Sequence, residues 1–134
     1  MKQLSQAFKY EIIENLEYLR ISSDNYNFND IKKGDIIFVS KYKYNNQQEG
    51  QYHLFLVTKR YGIYTYGMLI TSNIDKSWYP GNIELKKDCL NNLKYDSLIK
   101  TDNIYLIGKD NIINKIGSIN KNIYNLCINL HKLQ

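Results

Sequence analysis

Three short runs hold the side chains best suited to chemistry. The first is Lys33-Gly34-Asp35-Ile36-Ile37-Phe38-Val39, the second His53-Leu54-Phe55-Leu56-Val57, and the third Gly67-Met68-Leu69-Ile70-Thr71-Ser72. Histidine titrates near neutrality and can move protons, although a lone histidine heading an apolar strand is also a common structural residue. The hydroxyls of Thr71 and Ser72 can donate to a phosphate oxygen, while Thr71 is equally an ordinary β-branched strand residue. Lys41, Tyr42, Lys43 and Tyr44 alternate after the first run, and Lys76 and Trp78 follow the third. Cations neutralise phosphates and aromatic rings stack on unpaired bases, yet the same residues suit a solvated loop, and Trp78 could close a sheet end beside Pro80. Asp35 reads as a partner for local backbone. No phosphate-binding glycine loop, HExxH helix, paired-cysteine metal site or GxSxG elbow is present.

Composition bounds the reading. The chain has 134 residues, enough for one domain with a real core, and 43% of them are hydrophobic. The net charge of +5 favours an anionic partner, nucleic acid or acidic protein. Of the 18 cationic residues only Arg20 and Arg60 are arginines. Thirteen tyrosines could stack on bases or simply suit strands. Cys89 and Cys127 lack metal-ligand spacing, so free thiols in a reducing, cytoplasmic setting are expected. No apolar run is long enough to span a bilayer, and charges at Lys9, Glu11 and Glu14 argue against a signal peptide.

The elements that must position these residues follow from periodicity. Leu4, Phe8, Ile12, Leu16 and Leu19 predict an amphipathic helix over 4–21, and 22–30 reads as a linker. Strands are predicted at 36–40, 52–59, 63–71, 82–85, 97–99, 104–107 and 114–119. The polar stretch 41–50 is expected to be a long loop, and 109–112 one helical turn. Residues 52–59 form a continuous apolar run, as in a strand buried on both sides. Asn120 should cap a final helix whose apolar face carries Ile123, Leu126, Cys127, Leu130 and Leu133. His131 lies in that helix as a surface or interface residue. The sum is a mainly β domain with flanking helices, shaped as a small barrel.

From about Ile31 onward the order of these blocks resembles the PemK/MazF family, small ribonuclease toxins of bacterial toxin–antitoxin systems. Ile70-Thr71-Ser72 with Pro80 and Asn82–Leu85 is similar to the family's strand, loop and short strand after its catalytic threonine. Ser97–Ile104 is similar to its late segment, and Lys115–Ile119 to its closing motif. The resemblance implies an SH3-like β-barrel over 31–134 with a C-terminal helix, preceded by an N-terminal helix and linker over 1–30. It implies a homodimer, single-stranded RNA as substrate, a cognate antitoxin as partner, and cleavage without metal or cofactor. Thr71 and Ser72 would then hold the phosphate. His53 stands where the family has an arginine, and would act as acid or base. Lys41, Tyr42, Lys43, Tyr44, Lys76 and Trp78 would contact RNA. The alternative is a PemK/MazF-like barrel without catalysis that binds RNA or protein.

Overall fold

The computed structural model describes residues 26–44, 48–74 and 79–134; for 41–44 and 48–51 it describes the backbone. The helix expected over 4–21, the linker before Tyr26, and Lys76 and Trp78 lie outside the described residues. Seven strands follow in chain order: β1 (Asp35–Tyr44), β2 (Gln48–Tyr61), β3 (Tyr64–Thr71), β4 (Asn82–Leu85), β5 (Ser97–Lys100), β6 (Tyr105–Gly108) and β7 (Ile112–Ser118). Helix α1 (Lys121–Lys132) closes the chain. Most of these elements lie within one or two residues of the expected positions.

Residues 41–44 and 48–50 depart from expectation. They are strand and not loop. β1 runs on to Tyr44 and β2 starts at Gln48, pairing Lys41 with Gln51, Tyr42 with Gly50, Lys43 with Glu49 and Tyr44 with Gln48, while 45–47 lie outside the described residues. The physical reason is that a ladder is satisfied by backbone groups and needs no apolar side chains. Tyrosine suits a strand, and polar residues do not prevent one. Hydrophobicity is a signal for burial, and backbone pairing does not depend on it.

All ladders are antiparallel. β2 pairs with β1 on one side and β3 on the other; β7 pairs with β1, β5 and β6 with β3, and β4 with β5. A single bridge, Lys43 with Leu106, brings β6 back toward β1. The sheet is therefore small and barrel-like without a full closing ladder.

Alternation along the central strands splits the core in two. Ile36, Phe38, Leu54, Leu56, Met68 and Ile70 point into one cluster, covered by Cys127, Ile123, Tyr124 and Ile128 of α1. Ile37, Val39, Phe55 and Val57 point into the other, covered by Ile31 and the rings of Tyr26 and Phe28. Both faces of β2 are thus buried, which accounts for its unbroken apolar run. A 3-10 turn (Phe28–Asp30) places the Phe28 ring, and the Tyr26 hydroxyl donates to the Ile112 carbonyl at 3.2 Å.

Local chemistry explains the ends. The Asn120 side chain accepts from the Ile123 N–H at 2.9 Å, capping α1 as expected. The buried Asp35 carboxylate accepts from the Lys32 N–H at 2.9 Å, the local bond anticipated for it. It also pairs with the Lys115 ammonium at 3.3 Å.

Candidate active site at the β2–β3 strand ends

Register places the two leading residues at the same end of one ladder. Leu54 pairs with Ile70 and Phe55 with Leu69 across β2 and β3. That ladder ends at the Leu54–Ile70 pair, and His53 and Thr71 are the residues that flank it on the two strands. Alternation sends both to the face of the second cluster, where Phe55 and Leu69 lie. On its other side His53 pairs with Val39, and Thr71 pairs with Leu98 of β5. Both side chains are half-buried. Four strands therefore converge on one rim of the sheet.

The strand end is shaped by hydroxyls. Thr71 Oγ1 accepts from the Asn73 N–H at 3.1 Å, turning the chain as β3 finishes. That bond uses a lone pair, and a hydroxyl has an O–H donor besides. The Ser72 hydroxyl oxygen is buried and has no hydrogen-bond partner among the described residues. A buried hydroxyl in that state costs free energy, so its placement calls for a role or a ligand.

Tyr52, which the sequence offers with a nearby lysine or water as the acid to complement His53, has an unexpected backbone conformation. Its φ is 44°, a left-handed conformation that a non-glycine residue rarely adopts. The ring stacks on Phe38 at 6.0 Å between centroids. This kink immediately precedes His53, and such strain tends to persist where the surroundings impose it, often at functional sites. No sequence signal marks it, because tyrosine is a good strand former.

The cationic residues divide by location. Arg60 lies at the far end of β2, about 23 Å of strand from His53. Its guanidinium donates to the Phe28 carbonyl and sits 4.9 Å from the centre of the Phe28 ring. It therefore anchors the segment ahead of β1, and among the described residues no arginine reaches the His53 end. Lys41, Tyr42, Lys43 and Tyr44 continue β1 beyond Val39, the residue paired with His53, and Lys43 also bridges to Leu106 of β6. His131 is elsewhere: its Nδ1 lies 2.7 Å from the Thr101 carbonyl, tying α1 to the turn after β5. Among the described residues no three His, Cys, Asp or Glu side chains gather as a metal site. Nor is any described helix long and apolar enough to cross a membrane.

A family model for PemK-like, MazF-like toxins of type II toxin–antitoxin systems matches residues 32–129. That span includes every strand and most of α1.

The chain belongs to the PemK/MazF-like toxin family.

No curated protein matches the chain. Family membership brings, in general terms, an antitoxin partner and an RNA target. His53, Thr71 and Ser72 all fall inside the matched span, as do Lys41–Tyr44, Lys76 and Trp78.

Proposed function

We propose that this PemK/MazF-like toxin is an endoribonuclease that cuts single-stranded RNA without a metal. The ribose 2′-oxygen attacks the adjacent phosphorus as the bond from phosphorus to the 5′-oxygen breaks. The products are a 2′,3′-cyclic phosphate and a 5′-hydroxyl. His53 accepts the 2′ proton, Thr71 and Ser72 donate to the phosphoryl oxygens, and Tyr52, a lysine or water protonates the leaving oxygen. Lys41, Lys43 and Lys76 steer the strand, and Tyr42, Tyr44 and Trp78 stack on its bases. The toxin acts in the cytoplasm as a homodimer, and an acidic antitoxin segment blocks the RNA groove. Its barrel domain runs over 31–134, with 1–30 as an N-terminal helix and linker.

The observation that carries this reading is the register of β2 against β3, which supports a base beside a phosphate-holding hydroxyl. A catalytically silent barrel that binds RNA or protein is the second reading. It is favoured by Arg60, whose guanidinium is committed to Phe28 far from the site.

Incubating the purified chain with a long single-stranded RNA in EDTA separates the two. Cyclic-phosphate fragments that fall by about 10²–10⁴ in rate for His53→Ala, and clearly for Thr71→Val, support the enzyme. Intact RNA with a mobility shift supports the binding module. Cleavage that survives His53→Ala at full rate would remove the assigned base.

A further inference from the structure

Two clefts lie next to each other away from His53 and Thr71. The larger, about 350 Å³, is walled by Lys59, Tyr61, Tyr66 and Ile104 around Thr58. The smaller, about 260 Å³, is walled by Lys33, Lys121, Tyr124 and Asn125. They adjoin at one backbone segment. The Tyr124 hydroxyl, from the smaller cleft, donates to the Thr58 carbonyl of the larger at 3.0 Å. The Gly34 N–H, also from the smaller cleft, donates to the Val57 carbonyl at 2.8 Å.

The chemistry of the pair is uneven in a way that suits one ligand class. The larger cleft offers two tyrosines, of which Tyr61 is 72% exposed, with the Lys59 ammonium 5.9 Å from the Tyr61 ring centre. The smaller adds two further lysines, and among the described residues no carboxylate lines either cleft. Exposed rings beside cations match a base joined to phosphates, and the positive charge of the whole chain agrees in sign. Lys59 is six residues along β2 from His53, about 20 Å of strand.

We infer that these adjoining clefts hold one nucleotide of a single-stranded RNA at a point remote from the scissile bond. The base stacks on Tyr61 and Tyr66, and the flanking phosphates meet Lys59, Lys33 and Lys121. This rests on the reading that the protein acts on RNA. The consequence is that an RNA of several nucleotides spans both sites, while a dinucleotide reaches only one.

The test uses the full chain and a fluorescein-labelled 2′-O-methyl 12-mer, which lacks the attacking hydroxyl and stays intact. Binding is read by anisotropy across a salt series. Tyr61→Ala should weaken binding about 5- to 100-fold, and Tyr61→Trp should restore it because the stacking face is kept. The double variant Lys33→Ala, Lys121→Ala should flatten the log–log salt slope by about 1.4. Unchanged affinity and slope in these variants, with wild-type protein still cutting ordinary RNA, overturn the inference and leave the nuclease reading standing. Binding that depends on Tyr61 while ordinary RNA stays whole does the reverse. Wild-type protein with no affinity for the oligonucleotide overturns both. Variants that bind RNA normally but lose the antitoxin assign the clefts to protein and overturn the inference.

Discussion

Gly117 offers a test of how the end of the sheet is packed. A Cβ built there would run into the backbone of the 90–91 loop, 2.6 Å from the Leu90 carbonyl oxygen and closer still to that of Asn91. Its φ lies outside the left-handed region, so the obstacle is space alone. Both opposing atoms are backbone and cannot swing aside as a side chain tip would. The loop is also fastened to β7. The Ser118 N–H donates to Leu90 at 3.1 Å and the Asn92 side chain to Ile116 at 3.0 Å, while Leu93 is buried in the first cluster. Gly117→Ala must therefore push the loop off the strand. Overpacking costs about 1–3 kcal/mol, and separating the Ser118–Leu90 bond costs about 1–3 kcal/mol more where the groups are shielded from water. A total loss of about 2–6 kcal/mol is a large share of a small domain's stability. The expected fall in Tm is on the order of 10 °C. The control is Gly62→Ala, where a Cβ meets nothing within 4 Å but φ is +62°. Its cost is the left-handed penalty alone, about 1–2 kcal/mol. Urea unfolding followed by circular dichroism measures both. If the Gly117 variant loses no more than the Gly62 variant, close approach of loop and strand is not what that glycine serves.

Other outcomes follow from single groups. Lys115→Met should destabilise by about 1–3 kcal/mol in the same assay, because it strips the cation from a buried Asp35 whose second oxygen already has no partner among the described residues. Thr65→Val should be neutral or stabilising by up to about 1 kcal/mol, since the Thr65 hydroxyl is fully buried with no partner among the described residues and valine keeps its shape. Burial pushes the Cys127 thiol up to about 12 from an ordinary value of 9.0. Between those values the unfolded chain has lost a proton that the folded chain keeps, so this group makes stability fall as pH rises through that window. The same burial predicts that iodoacetamide at pH 8 labels one thiol per native chain, the exposed Cys89, and two in denaturant, counted by intact mass.

Much of this was legible in the residues because local rules were strong. Asn120 capping α1, the β4 boundaries at Asn82 and Leu85, and the doubly buried run in β2 each follow from short-range pattern and chemistry. The paired arms at 41–44 and 48–51 did not, because their polarity hid a ladder made by backbone. The left-handed Tyr52 and the commitment of Arg60 to Phe28 were equally invisible, since each depends on a partner far away in sequence or on a backbone angle with no residue signature.

The sequence by itself determined the order of the strands, the closing helix, the cationic surplus and the block pattern that belongs to a toxin family. It supplied His53, Thr71 and Ser72 as types, without saying that they meet. Only the tertiary structure decided that His53 and Thr71 flank the same end of the β2–β3 ladder, because that register is set by which residues fill two separate clusters across long sequence distances. The same packing left Ser72 with a buried hydroxyl at the strand end and drew Arg60 to the opposite end of the sheet. A one-residue slip would turn every side chain of β2 to the other face, and with it the histidine.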